Sequence, residues 1–213
     1  MNRAYNATCE TMPEIPDGSI QTCVTSPPYY GLRDYDVPGQ IGLEETLDAY
    51  VARIVGVFRE VRRTLRDDGT LWLNLGDSYA GSWGAQGRDS AMAGRSVLSA
   101  RQIAAHPHNA TRTGSIRDAG LKAKDLIGVP WSVAFALRAD GWWLRDAIVW
   151  HKPNPMPSSV KDRCTPSYEM VFLLAKSARY YYDADAIREP HASATLARIA
   201  QAKWKNGTQA GSA

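Results

Sequence analysis

Long hydrophobic runs are absent from this sequence of 213 residues. A membrane-spanning helix needs ~20 consecutive apolar residues, and no stretch approaches that length. The opening Met1-Asn2-Arg3 is not followed by the apolar stretch that a secretory signal peptide would contain. We therefore expect a cytoplasmic protein with no membrane partner.

Cysteine is also scarce, and the three residues of this type are Cys9, Cys23 and Cys164. Their number is odd, their separations are large, and none lies at metal-ligand spacing from another cysteine or a histidine. This pattern argues against a disulfide framework and against a zinc motif. We expect no bound metal, and we expect the thiols to be buried in the core.

A strong excess of charge of one sign is lacking as well. The chain carries 25 basic and 22 acidic residues, a net charge of +3, and its pI is about 8.8. This mild basic excess permits a polyanionic partner but does not require one. Hydrophobic residues make up 44% and charged residues 22%, which excludes a disordered or collagen-like chain. The length favours one compact domain.

Two short apolar runs flank an amphipathic stretch in the first part of the chain. Residues 20 to 25 (IQTCVT) stop at two prolines, which indicates a buried strand that ends abruptly. From Leu47 to Leu65, apolar residues recur at three- and four-residue spacing, which predicts a helix. Residues 70 to 75 (TLWLNL) are the second apolar run. Strand, helix and strand at this spacing predict a βαβ unit with a parallel strand pair.

The second half of the chain predicts a helix followed by two strands. Pro130 to Ala139 is the predicted helix, with a proline in its first turn and Gly141 just past its end. Residues 142 to 150 and 168 to 175 are strand-like runs that we expect to pair antiparallel. One more helix is predicted near residues 192 to 203.

The segment between these two halves, residues 83 to 124, is rich in Gly, Ala, Ser and Arg. Seven of its residues are basic and two are acidic. It is equally consistent with a mobile surface loop and with an arm that contacts a phosphate backbone. In the second interpretation, Arg95, Arg101 and Arg112 make such contacts.

The strongest chemical signal is Thr25-Ser26-Pro27-Pro28-Tyr29-Tyr30, at the end of the first predicted strand. Open α/β sheets bind their ligands at this end of a strand. The prolines stiffen the turn, so that the Ser26 oxygen and the Pro27 carbonyl form an acceptor pair beside the ring of Tyr29. Two acceptors suit an exocyclic amino group on a planar ring, which Tyr29 would stack against. The alternative is an ordinary Pro-Pro turn that closes the strand.

Several separate segments agree in type and order with one family. PDGSIQTCVTSPPYYGLRDY and LRDDGTLWLNLGD are followed by AIVWHKPNPMPSS, DRCTPSYEMVFLLAKS and RYYYD. Over most of residues 5 to 189 the chain resembles the amino DNA methyltransferases, which modify cytosine N4 or adenine N6. The order resembles the circularly permuted group, whose catalytic SPPY motif precedes its cofactor motif.

The resemblance implies a three-layer, Rossmann-like α/β sheet, mostly parallel with one antiparallel hairpin. It implies methyl transfer from S-adenosylmethionine to a base that is flipped out of double-stranded DNA. The residues that match the family's catalytic tetrapeptide are Ser26, Pro27, Pro28 and Tyr29. Because adenine enzymes more often carry Asp or Asn in place of this serine, Ser26 favours cytosine N4, with adenine N6 as the alternative.

The resemblance also assigns residues around the target base and its phosphates. These residues are Tyr30, Trp150, Lys152 and Asn154, and the last three belong to the loop WHKPNP. A proline-braced connection with a solvated lysine remains the alternative for that loop. Glu169 matches the acid of the family's final strand motif, and an ordinary paired carboxylate is an equally good interpretation.

Two departures from the family concern the cofactor. Tyr5-Asn6-Ala7-Thr8 stands where relatives commonly carry a Gly-Asp pair, and this leaves Thr8, Thr25 and Ser26 as the expected cofactor contacts. No aromatic-x-Gly-x-Gly loop occurs in residues 190 to 213. We therefore expect a catalytic region over residues 1 to 189, with the basic insertion, and a polar tail that starts a missing recognition and cofactor segment.

That missing segment could be a carboxyl-terminal extension or a second chain. The rival hypothesis is a catalytically silent DNA-binding remnant that keeps the aromatic pocket and the basic segment but binds no cofactor.

Overall fold

The computed structural model describes residues 3–80 except 34 and 36, and residues 120–200 except 123 and 159. Most of the basic segment, including Arg95, Arg101 and Arg112, therefore lies outside the described residues. Contacts divide the chain into a unit of residues 1–180 and a unit of residues 181–213. The domain division at residue 189 stays a prediction.

The predicted βαβ unit is confirmed. Strand β1 comprises Ile20–Thr25, helix α1 Leu47–Thr64 and strand β2 Leu65–Leu75. Helix α1 begins where the Thr46 hydroxyl accepts a hydrogen bond from the Ala49 N–H at 3.1 Å. Strand β2 begins five residues earlier than expected. Its first residues read as a polar turn, yet Leu65 is fully buried and pairs with Ile20.

The second half also follows the predicted order, with shifts of one residue. Helix α2 comprises Val129–Ala139, strand β3 Trp143–His151 and strand β4 Tyr168–Ala175. In the unit of residues 181–213, helix α3 comprises Ser193–Ala200.

The four strands form one sheet in the order β1-β2-β4-β3. Strands β1 and β2 are parallel, β3 and β4 form the expected antiparallel hairpin, and β2 also pairs antiparallel with β4. The α/β class is confirmed, but the expectation of a mostly parallel sheet is corrected: among the described strands, one pairing of three is parallel. The reason is that β4 returns from the hairpin and enters the sheet beside β2.

The core lies between the sheet and the helices α1 and α2. Alternate residues of β2 (Leu71, Leu73 and Leu75) point into it and are fully buried, as are Phe172 and Leu174 of β4. Helices α1 and α2 contact each other and share this core. Residues described up to 180 thus show two of the three expected layers. No helix in the described ranges is long and apolar enough to cross a membrane.

The register brings three chain segments together at one end of the strands, where β1 and β2 end and β4 begins. Thr25 is level with Leu73, and Leu75 is level with Met170. Because β4 runs antiparallel to β2, the start of β4 lies beside the end of β2. Ser26, Gly76 and Glu169 therefore lie close together at these strand ends, where the sequence predicts a binding site.

The two ends of the undescribed stretch 81–119 are joined by backbone hydrogen bonds. The Ala80 N–H donates to the Asp125 carbonyl at 2.8 Å, and the Lys124 N–H donates to the Ala80 carbonyl at 2.9 Å. The Ile127 N–H donates to the Ser78 carbonyl at 2.9 Å. We call residues 78–80 and 124–127 the insertion base. It holds both ends of the insertion next to the end of β2.

The thiols are less buried than expected. Cys9 and Cys164 are exposed, so the prediction of buried thiols is wrong for both, because each lies in a loop outside the strands and helices. Cys23 in β1 is partly buried, and burial raises the pKa of its thiol. No group of three or more possible metal-binding side chains occurs among the described residues.

Candidate active site

The Tyr29 hydroxyl lies at the centre of a hydrogen-bond network at the carboxyl ends of β1 and β2. Its oxygen is 2.9 Å from Asn74 Oδ1, 3.2 Å from Glu169 Oε2 and 3.2 Å from Ser26 Oγ. The network joins the ends of β1 and β2 and the start of β4. It was not visible in the sequence, because its four residues are spread over positions 26 to 169.

The direction of these hydrogen bonds follows from the chemistry of the partners. Asn74 Nδ2 donates to the Met170 carbonyl at 3.1 Å, which turns the Asn74 carbonyl oxygen towards Tyr29. This amide oxygen and the Glu169 carboxylate are acceptors, so Tyr29 donates its single proton to one of them. The Tyr29 oxygen then accepts from the Ser26 hydroxyl, and the lone pairs of exposed Ser26 Oγ stay available to a further donor.

Tyr29 keeps its proton near neutral pH. Burial raises the pKa of the Tyr29 phenol, a hydrogen bond from Ser26 lowers it, and the neighbouring Glu169 carboxylate raises it again. The net direction is upward. The phenol is therefore a neutral donor and acceptor, and it holds Ser26 in one orientation.

The Tyr29 ring lies against the backbone of Gly76. A Cβ atom added at Gly76 would be 2.5 Å from Cε2 of the ring, which no side chain tolerates without movement. Packing therefore requires a glycine at position 76, because only a residue without a Cβ lets the ring approach the end of β2 this closely.

The turn that carries the motif is anchored from below. Tyr50 of α1 is fully buried, and its hydroxyl donates to the Pro28 carbonyl at 3.0 Å. Burial strongly raises the pKa of Tyr50, so this donor stays neutral. Because the Pro28 carbonyl points inward to Tyr50, it does not face the open side of the site.

Glu169 links the network to the loop after β3. Its Oε1 accepts from Lys152 Nζ, while its Oε2 contacts Tyr29. The Lys152 N–H donates to the Ser167 carbonyl at 2.7 Å, which fixes the start of this loop against its end. Glu169 is thus a paired carboxylate that also contacts Tyr29, and its match to the family's motif stays a prediction.

Tyr30 does not face the site. It is 4% exposed and packs against Tyr50 with ring centroids 5.3 Å apart. The expected contact of Tyr30 with a target base is therefore corrected. Adjacent residues in this turn point to opposite sides, so Tyr29 reaches the site while Tyr30 enters the core.

The other residues predicted for the site are spread around it. Trp150 is 62% exposed and pairs in register with Glu169, which brings an accessible indole to the site. Asn154 is exposed in the following loop, with no contact to the network. Thr25 is the last residue of β1, next to Ser26. Thr8 is exposed, and its hydroxyl contacts Glu10 rather than any residue of the network.

Asp77 supports the site although sequence reasoning noted it only as the end of a strand. It accepts hydrogen bonds from the N–H groups of Ser78 (2.9 Å), Gly128 (3.0 Å) and Val129 (3.0 Å). It thereby holds the start of α2 to the end of β2. Burial raises the pKa of Asp77, and the three N–H groups lower it by less. Gly128 and Val129 lie 51 and 52 positions further along the chain, so no local pattern shows these two partners.

Comparison with known proteins identifies close relatives. A family described as DNA methylase matches residues 20–209. The chain is 52% identical over 178 residues to the Type II methyltransferase M.SmaI of Serratia marcescens, covering 82% of this chain and 56% of that protein. It is 50% identical over 176 residues to M.Cfr9I of Citrobacter freundii, covering 82% and 54%. The chain thus spans about half the length of the curated relatives it matches.

Among solved structures, the chain is similar to the PvuII DNA methyltransferase, which is described as cytosine-N4-specific. The TM-score is 0.50 at 16% sequence identity, and the match covers 81% of this chain and 48% of that one. At this identity the likeness supports a common fold.

Proposed function

This chain belongs to the DNA methylase family that matches residues 20–209, and on that premise we propose that it supplies the catalytic half of an amino methyltransferase. The reaction transfers a methyl group from S-adenosylmethionine to an exocyclic amino nitrogen of a DNA base. The observation that carries the proposal is the hydrogen-bond chain from Ser26 through Tyr29. It leaves an oriented oxygen acceptor at the open end of β1.

The residues of the network prepare the amino group for attack. Its nitrogen lone pair is delocalised into the ring, and it becomes nucleophilic when acceptors hold the N–H bonds. Ser26 Oγ accepts one N–H, and the Pro27 carbonyl accepts the other. During transfer the bond between the methyl carbon and the cofactor sulfur would break as the N–C bond forms, and the amino group would then lose a proton. Ser26 Oγ can take it and pass a proton to Tyr29, and Tyr29 can pass one to Glu169.

The same geometry supports a flipped base as the substrate. Chemistry on an exocyclic amino group needs the base outside the stack. Tyr29 is half-buried and offers a ring next to the acceptor, and exposed Trp150 pairs in register with Glu169 of the network. Contact of Lys152 and Asn154 with the phosphates of the flipped nucleotide stays a prediction, because Lys152 Nζ is paired with Glu169 and Asn154 is exposed in the loop. For Arg95, Arg101 and Arg112, DNA contact stays a prediction, tested by a flatter salt dependence of DNA binding after their replacement by Ala.

The described residues fit the reacting end of S-adenosylmethionine. Beside Thr25 and Ser26, the outer edge of β1 has no strand partner among the described residues, and Val24 is 76% exposed. This edge leaves room for a ligand at the carboxyl end of the strand. The bound cofactor would supply an electrophilic methyl group. Thr8 turns to Glu10, so its expected role in holding the adenosine has no geometric support.

We assign the adenosine contacts to a further segment or a second chain. The curated relatives are nearly twice as long as their match to this chain. A parallel strand such as β1 is usually covered on both edges and faces. Such a segment or second chain would add next to β1, where it can complete the cofactor site without disturbing the network around Tyr29.

Cytosine N4 is the proposed target atom. Ser26 is a neutral hydroxyl, and its single proton is given to Tyr29, so it offers an acceptor of modest strength. Mass spectrometry of digested nucleosides from treated DNA tests this assignment. N4-methylcytosine is the expected product, and N6-methyladenine as the sole product would refute the choice of base but not the reaction.

The experiment that tests the reaction uses labelled S-adenosylmethionine and unmethylated DNA. We expect little transfer by the 213-residue chain alone, and transfer when the portion of M.SmaI that this chain does not match is added as a separate polypeptide. The Ser26→Ala chain, mixed in the same way, is the matched control. Equal transfer by both chains would rule out the proposed role of Ser26.

The second candidate function is a catalytically silent DNA-binding remnant. The observation that favours it is that Thr8, one of the expected cofactor contacts, contacts Glu10 and no residue of the network. Isothermal titration of the chain with S-adenosylmethionine, with and without the added polypeptide, separates the two functions. Binding in neither case, together with retained DNA binding, would support the remnant.

A further inference from the structure

A second polar site lies at the opposite ends of the strands that carry the first site. It is an open cavity of about 520 Å³ at the amino ends of β1 and β2. Strand β1 has six residues, which places the cavity roughly 20 Å from Ser26. Four basic side chains and two acidic ones contribute to its lining, which consists of Asp17, Gly18, Arg59, Arg62, Arg63, Asp67 and Lys176.

Three of the four cations already have partners. Arg59 forms a two-pronged ion pair with Asp140, the residue that follows α2. Arg63 pairs with Glu60 and Asp17 and also donates to the Ile15 carbonyl. Lys176 donates to the Leu65 carbonyl at 2.7 Å and lies 3.3 Å from Asp67.

Arg62 differs from its neighbours. Its Nε is buried and has no hydrogen-bond partner, and it forms no ion pair with any residue that the structure describes. Its guanidinium group is positioned by Gly141, where an added Cβ would lie 3.2 Å from Arg62 Nη1. Because Arg62 lines the cavity, an anion bound there would compensate this unpaired guanidinium charge.

We propose that this cavity binds a phosphate group through the guanidinium of Arg62. A guanidinium presents parallel N–H groups that match two phosphate oxygens. Arg63 and Lys176 add positive charge at the rim, although their own hydrogen bonds are already formed. The phosphate is either free inorganic phosphate or part of a nucleic-acid backbone that passes this edge of the sheet.

The primary test is a calorimetric titration of the 213-residue chain with inorganic phosphate, with chloride adjusted to hold the ionic strength constant. Arg62→Gln removes the charge and is expected to weaken binding about tenfold, since charge-assisted hydrogen bonds are lost. Arg62→Lys keeps the charge but loses the paired N–H groups, and it is expected to be intermediate. Arg66→Gln is the matched control, because Arg66 is exposed, pairs with Asp68 and does not line the cavity.

A short DNA duplex, titrated into the same proteins, distinguishes the two sources of phosphate. Weaker DNA binding by Arg62→Gln than by Arg66→Gln identifies a backbone phosphate. Equal DNA binding with weakened inorganic phosphate binding identifies free phosphate. Equal affinity of the wild-type and Arg62→Gln chains for both probes, with folding verified by circular dichroism, overturns the proposal. The phosphate titration needs no methyl transfer, so its result is independent of the proposed function.

Discussion

Polar side chains are arranged differently at the two ends of the parallel pair β1–β2. At the carboxyl end, Tyr29 joins Ser26, Asn74 and Glu169 in one network of mainly neutral hydrogen bonds. At the amino end, arginines of α1 form separate ion pairs in contact with solvent. A partly buried network fixes the position of each member, whereas solvent-exposed ion pairs contribute little and tolerate change. The carboxyl end, where each side chain is held in place, is therefore the end suited to the proposed chemistry.

The largest expected effect is the loss of methyl transfer on substitution of Ser26, compared with Ser19 at the other end of β1. In a cofactor-competent assembly, Ser26→Ala is expected to lower methyl transfer about a hundredfold, since an acceptor for the amino group is lost. Ser19→Ala, at the other end of the same strand, removes only a local hydrogen bond to the Pro16 carbonyl and is the control. Incorporation of labelled methyl groups into DNA measures both. Similar rates for the two variants would abolish the functional distinction between the two ends.

The second prediction compares two glycines. Gly76→Ala is expected to lower the free energy of unfolding by about 1–3 kcal/mol, because the new Cβ meets the Tyr29 ring. Gly56→Ala, on an exposed part of α1 with nothing within 4 Å of the added Cβ, is expected to raise it by about 0.5–1 kcal/mol. Urea unfolding measures both changes. A neutral Gly76→Ala variant would show that the end of β2 is not tightly packed.

The third prediction separates the ring of Tyr29 from its hydroxyl. Tyr29→Phe keeps the ring but removes the group that orients Ser26, so methyl transfer is expected to fall about tenfold while the melting temperature changes little. Tyr168→Phe is the control, because that side chain is exposed and no hydrogen bond of its hydroxyl occurs among the described residues. Unchanged transfer by Tyr29→Phe would remove the hydroxyl from the mechanism.

The smallest expected effect concerns pH and Asp77. Because its pKa is raised in the folded state, that state binds more protons than the unfolded chain between the ordinary value of about 4 and the raised one. The free energy of unfolding of the wild type should therefore fall, relative to Asp77→Asn, as pH rises through this window. Urea titrations of both proteins at a series of pH values measure the difference. The opposite slope would mean that the three N–H donors outweigh burial.

The sequence predicts most of the secondary structure here because the signals are local. Apolar spacing and turn residues place α1, α2 and all four strands to within a few residues, and the largest error is the start of β2. The position of β4 between β2 and β3 was not predicted, since strand order depends on contacts that are distant along the chain.

The candidate site was predicted only in part. The tetrapeptide around Ser26 is visible as a continuous motif whose acceptors suit an exocyclic amino group, and the family resemblance added methyl transfer. Asn74 and Asp77 were not recognised, because each acts on partners that the tertiary fold brings near. The prediction that Tyr30 contacts the base was wrong for a related reason, because tertiary packing buries Tyr30 against Tyr50 although it lies beside the motif in the sequence.

The insertion base has a consequence for how proteins of this design can diverge. A loop whose two ends are already pinned together can change length at small entropic cost, because closure entropy grows only slowly with the number of residues. Ala80 and Asp125 provide such a closure immediately beyond Gly76 and Asp77. Substitutions, deletions or replacement of the intervening stretch thus leave the strand ends in register. The number of residues between Ala80 and Asp125 can therefore change without moving Gly76 and Asp77.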